Sequence, residues 1–194
     1  RTMFDRFLWI FASPKGLYTS FQYDLEKLAP IRSMMTRCAE KDIQLILFIP
    51  PIHAELQYAI SGNKLWGPFE QYRRDLLDIV TDSSGRASLW DFSGFSTYTT
   101  ETLPEAEWSK VDRLHWYVDS VHFKSSLGRL VINRIYGEVG DNSFGVLLSP
   151  ENIERHLLTM RDDLQQWTLN HPQEVIHLQN IMRGKQPAKV AVIE

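Results

Sequence analysis

The sequence predicts an α/β fold with parallel strands. Two short apolar runs carry that prediction, each preceded by a stretch of helical periodicity. Ile43-Gln-Leu-Ile-Leu-Phe-Ile49 is nearly continuous in apolar residues and closed by Pro50-Pro51, the pattern of a strand buried on both faces. Ala87-Ser-Leu-Trp-Asp-Phe92 follows the turn residues Asp82-Ser-Ser-Gly85 and reads as a second strand. Helix, strand, helix, strand in this order, with right-handed crossovers, makes the two strands parallel and adjacent or near-adjacent.

The elements run as follows. Arg1 to Phe11 is rich in apolar and aromatic residues (Phe4, Phe7, Leu8, Trp9, Ile10, Phe11), breaks at Ser13, Pro14 and Gly16, and needs a covering partner. From Tyr18 to Lys41, Leu25, Leu28, Ile31, Met34, Met35 and Cys38 recur at three- and four-residue steps, one face of a helix that Pro30 kinks or breaks. Phe69, Tyr72, Leu76, Leu77 and Val80 mark a helix from about Gly67 to Asp82. Residues 93 to 118 are polar with scattered aromatics and predict a long loop able to wall a site. Ser125 to Tyr136 is a helix stopped by Gly137, and Ser149-Pro150-Glu151 opens another whose apolar side holds Leu157, Leu158, Met160, Leu164 and Trp167. The last 25 or so residues read as polar and irregular. This divides the chain into an apolar N-terminal segment (1–17), an α/β domain (18–140) and a helical and irregular tail (141–194).

With 194 residues, 43% hydrophobic and 12% aromatic, the chain has material for a real core, which argues against disorder. A net charge of -3 supplies no basic field, so composition speaks against nucleic acid or an acidic membrane surface as partner. No apolar run approaches the ~20 residues needed to cross a bilayer. Cys38, the one cysteine, excludes an internal disulfide and reads as an apolar thiol on a helix.

The chemistry-bearing candidates gather around Asp119-Ser-Val-His122. A carboxylate three positions before a histidine can hold one imidazole nitrogen while the other takes a proton from a serine hydroxyl. The same spacing also suits Asp119 as a helix N-cap and His122 as a polar residue of the first turn. His53, after the first strand, stands where loops at the carboxyl ends of parallel strands build sites, either contacting substrate or bonded to backbone. His53-Ala-Glu55 lacks the companions of a metal motif, so neither metal nor cofactor is expected. Asp91 either reaches into the same site or closes a turn with Ser93 and Gly94. Trp108, His115, Trp116 and Tyr117 suit a sugar or acyl pocket or, equally, loop packing. Glu101, Glu105, Glu107 and Lys110 read as solvated loop surface.

Pro-Pro-Ile-His-Ala (50–54), Leu-Trp-Asp-Phe-Ser-Gly-Phe (89–95), Asp-Ser-Val-His-Phe (119–123) and Leu-Gly-Arg-Leu-Val-Ile (127–132), in that order, resemble the second half of SGNH (GDSL-like) hydrolases. They are most similar to a bacterial, envelope-associated group of such proteins, over residues 20 to 137. The resemblance implies a three-layer, flavodoxin-like parallel sheet lacking its first strands. It also implies acyl ester hydrolysis or O-acyl transfer, with Asp119 and His122 as acid and base; His53, Asp91 and Trp116 are the substrate-side candidates from their positions in the chain. An acyl ester or envelope carbohydrate is the implied substrate, and the envelope or periplasm the implied location; composition leaves the cytoplasm open. The family's Gly-Asp-Ser nucleophile block and its glycine and asparagine oxyanion donors have no counterpart here, so no residue is assigned those roles. Coverage of the sheet edge and of Phe4 to Phe11 by a second copy or a missing N-terminal domain is the further expectation. A non-catalytic binding or assembly module is the alternative reading.

Overall fold

The computed structural model describes residues 2–83, 85–103, 114–137, 141 and 143–185. Helix α1 (Thr2–Ala12) leads through two short 3-10 helices, Leu17–Ser20 and Leu25–Leu28, into α2 (Ala29–Glu40) and strand β1 (Leu45–Ile49). Helices α3 (Ala54–Gly62) and α4 (Trp66–Thr81) precede β2 (Ala87–Asp91). After a long loop come α5 (Ser125–Ile135), β3 (Val146–Leu147), α6 (Ile153–Asn170) and α7 (Pro172–Met182).

The fold is α/β, and its two main strands are parallel neighbours in register from Leu45↔Ala87 to Ile49↔Asp91. The sheet is mixed rather than all parallel, because β3 pairs antiparallel with the far side of β2 through Trp90↔Leu147 and Asp91↔Val146. A strand of two residues is too short to write an alternation into the sequence. What makes it is Gly145, whose φ of +82° turns the chain back while its missing Cβ leaves room for the Phe92 ring.

On one face of the sheet, Leu47, Ile49 and Leu89 pack with Met35 of α2, Leu76 and Val80 of α4, and Leu157 and Met160 of α6. On the other, Trp90 and the following Phe92 meet Leu127 and Val131 of α5. That helix covers β2 but leaves Ile46 and Phe48 of β1 39% and 41% exposed. A further cluster joins Leu8 and Ala12 of α1 to Ala59 and Ile60 of α3, Trp167 of α6, and Leu178 and Ile181 of α7.

Two expectations are corrected, and one helix appears that the sequence reading did not name. The long helix over Tyr18 to Lys41 is α2 alone, because Pro30 is accepted only in a helix's first turn, where no backbone donor is needed. Helix α3 carries no amphipathic stripe since Ala54, Glu55, Leu56, Gln57, Ala59 and Ile60 are all buried, which hides it from periodicity. The tail is not irregular over 172–182: Pro172 starts α7, and Leu178 and Ile181 form its inner edge. That helix, with α3, is what covers α1. Phe4 and Leu8 are 0% exposed, while Met3 and Ile10 of the same helix stay 44% and 43% exposed. Among the described residues no helix is long and apolar enough to cross a membrane.

Candidate functional site

Asp119-Ser-Val-His122 is the tip of a small hairpin rather than the first turn of a helix. Tyr117 and Phe123 pair as an antiparallel bridge, the Val118 N–H donates to the His122 carbonyl at 2.8 Å, and the Lys124 N–H donates to the Trp116 carbonyl at 2.7 Å. Helix α5 starts only at Ser125, with Lys124 at its N-cap. Asp119 therefore caps its own turn: Oδ1 accepts from the backbone N–H groups of Val121 and His122, both at 2.8 Å. A short acidic side chain bonding the backbone two and three residues on is the general logic of such turns.

The same carboxylate holds the imidazole. His122 Nδ1 lies 3.0 Å from Asp119 Oδ1 and 2.8 Å from Oδ2. With Nδ1–H donating to the carboxylate, the lone pair of Nε2 is left for another proton. The pair is asymmetric in exposure, at 3% for the Asp119 side chain and 62% for His122. A buried acid orienting an open imidazole is the arrangement of an acid and base pair. Phe7 of α1 closes one side of the ring, edge-on with centroids 5.5 Å apart. Ser120, inside the turn, is 0% exposed, so its hydroxyl is not presented to solvent. Among the described residues no hydroxyl or thiol hydrogen-bonds His122 Nε2.

His53 lies past the carboxyl end of β1 at the N-cap of α3. Its Nδ1 accepts from the Glu55 N–H at 3.3 Å, and Nε2 is 2.8 Å from the Glu101 carbonyl, to which it donates. Only the tautomer protonated at Nε2 satisfies both bonds. The ring is 2% exposed, set edge-on between Phe4 at 4.9 Å and Tyr117 at 5.3 Å. Burial, with the Glu101 charge nearby, pushes the Tyr117 hydroxyl far above its ordinary titration range.

Trp116 packs edge-on against Tyr98 at 5.0 Å and His115 at 4.2 Å. Glu101, read from sequence as loop surface, instead accepts the backbone N–H of His115 and, at 2.9 Å, that of Trp116. It thereby joins the loop after β2 to the hairpin. Trp108, Glu105, Glu107 and Lys110 lie outside the described residues.

Asp91 belongs to a different cluster. It is 1% exposed; Oδ2 accepts from Arg73 Nε at 2.7 Å and sits 3.0 Å from His156 Nε2, while Oδ1 accepts from the Ser93 N–H and hydroxyl at 2.8 and 2.6 Å. Burial pushes its carboxyl up, but the Arg73 charge and the His156 bond outweigh that and hold it well below the usual carboxylate range. Arg73 lies over the Phe69 ring at 3.6 Å, so the cluster ties α4, α6 and the end of β2 together.

The structure thus brings Asp119 and His122 into contact, sets His53 beside them through Tyr117 and α1, and keeps Asp91 apart. Sequence reading missed Phe4 and Phe7 as walls, although their three-residue spacing in an aromatic segment was the signal for one helical face. It also missed Glu101, Arg73 and His156, which no local pattern marks as partners. No family model, curated protein or solved structure matches this chain.

Proposed function

We propose that the chain supplies the acid and base of an SGNH-type acyl ester hydrolase or O-acyltransferase, acting on an O-acylated carbohydrate of the bacterial envelope. The observation that carries this reading is the Asp119 carboxylate on His122 Nδ1 at 2.8 Å, with the His122 side chain 62% exposed. His122 takes the proton of a serine hydroxyl as its oxygen attacks the acyl carbonyl, and Asp119 stabilises the imidazolium that forms. The proton then passes to the leaving alkoxide, freeing the sugar hydroxyl and leaving an acyl-serine. Water attacking that ester makes the enzyme a hydrolase; a second sugar hydroxyl makes it a transferase.

The parallel pair β1 and β2, with His53 and the hairpin beyond their carboxyl ends, supports a flavodoxin-like sheet that further strands extend from the free edge of β1. The serine and the oxyanion donors come from residues outside this sequence. Trp116 and its aromatic neighbours offer a sugar-binding wall. His53 and Asp91, bonded internally, act through the framework.

The test is hydrolysis of a short-chain aryl acetate by a form carrying the Gly-Asp-Ser block. His122→Ala abolishes turnover, Asp119→Asn leaves part of it, and the 194-residue chain alone is inactive. Full esterase activity of this chain, or an undiminished His122→Ala enzyme, overturns the proposal. A binding or assembly module is the second reading, favoured by the two backbone N–H groups that Asp119 also satisfies. It predicts that Asp119→Ala loosens the hairpin and that no turnover exists to lose.

A further inference from the structure

A cavity of about 340 Å³ opens between the segment 18–28 and the start of α4, sharing no lining residue with the Asp119 and His122 turn. The buried side chains of Leu28 and Ile60 and the rings of Tyr18, Phe69 and Tyr72 line it. Its outer wall is anchored, since the Tyr23 hydroxyl donates to Asp75 Oδ2 at 2.5 Å and the Tyr18 ring packs 5.4 Å from Phe11 of α1. Burial pushes the Tyr18 hydroxyl up to about 12 and raises that of Tyr72 as well, as expected of dry walls.

Two charged groups stand at the rim. Asp24 caps a 3-10 turn, its Oδ1 accepting the Glu26 N–H at 3.0 Å. Lys27 is exposed and forms no ion pair among the described residues. Ligand pockets span ~300–1,000 Å³, so this volume has room for a single alkyl chain. We infer that the cavity binds a medium-chain carboxylate, its alkyl chain among Leu28, Ile60 and the aromatic rings and its carboxylate on the Lys27 ammonium. This site stands independently of the catalytic reading.

The test is calorimetric titration of the 194-residue chain with decanoate and, as a neutral control, decanol, with binding mapped by NMR on Leu28, Ile60 and Leu65. Saturable decanoate binding that moves those resonances is expected. Lys27→Ala should weaken decanoate about two- to fivefold, the range of an exposed ion pair, and leave decanol unchanged. Leu65→Trp, which fills the cavity, should weaken both roughly tenfold or more. The inference is overturned by absent binding, by resonance shifts elsewhere only, or by equal sensitivity of the two ligands to Lys27→Ala. Where Leu65→Trp fails to fold, the resonance map of the unaltered chain decides.

Discussion

His53 and His122 are set against one turn of the same helix: Phe4 meets the first edge-on at 4.9 Å, and Phe7, three residues later in α1, meets the second edge-on at 5.5 Å. The N-terminal helix is therefore part of the site's wall. It is fastened in turn by α7, where His177 Nε2 lies 2.8 Å from Asp5 Oδ1.

Loosening α1 should be felt at His122. Leu178→Ala, at a position 1% exposed in the α1–α3–α7 cluster, should cost about 2–5 kcal/mol in urea unfolding and shift the His122 imidazole resonances. Leu157→Ala, equally buried but in the sheet's core, should cost a similar amount and leave those resonances in place. Identical spectral effects from the two variants would separate Phe7 from the site.

The tautomer of His122 is a direct readout of the Asp119 bond. Nitrogen NMR of the neutral ring should show the proton on Nδ1, and Asp119→Ala should shift population to Nε2 and broaden the Val121 and His122 amides. A ring already protonated at Nε2 would remove the basis for His122 as a base.

Arg73 and Asp91 form an ion pair with both side chains 0% exposed. Removing one partner strands a buried charge, so Arg73→Met should destabilise by about 3–5 kcal/mol. Because the Asp91 carboxyl is held below its ordinary range, its contribution is present above the unfolded value of about 3.9 and is lost as pH falls below it. The urea midpoint should drop on acidification below about pH 4, and Asp91→Asn should flatten that part of the curve. Superimposable acid profiles for the two proteins would contradict the assignment.

Gly145→Ala combines a left-handed backbone with a collision. The position has φ +82°, and an added Cβ would collide with the Phe92 ring. A loss of about 2–4 kcal/mol is expected by thermal unfolding, larger than backbone strain alone produces. A neutral substitution would mean that β3 does not depend on this turn.

Local chemistry made several features legible from sequence. The continuous apolar runs ending at Ile49 and Phe92 identify β1 and β2, and the crossover rule makes them parallel. The Asp-x-x-His spacing identifies a side chain able to hold an imidazole, because three residues is the reach of a short carboxylate around a tight turn. Helices α4, α5 and α6 show through their single apolar stripes, since each buries one face and wets the other.

Tertiary structure decided what periodicity does not encode. Helix α3 is buried on nearly every side, so no polar face marks it, and β3 exists only because a glycine turn returns the chain to the edge of β2. The Glu101 carboxylate that braces the His122 hairpin and the Arg73 and His156 bonds that enclose Asp91 join residues 14 to 65 positions apart. Partners that distant leave no mark in neighbouring residues, because each side chain's environment is supplied by whichever element the packed core brings beside it. For the same reason the sequence named an aromatic N-terminal segment in need of cover, and only the fold showed that α7 packs against Leu8 and Ala12 within it.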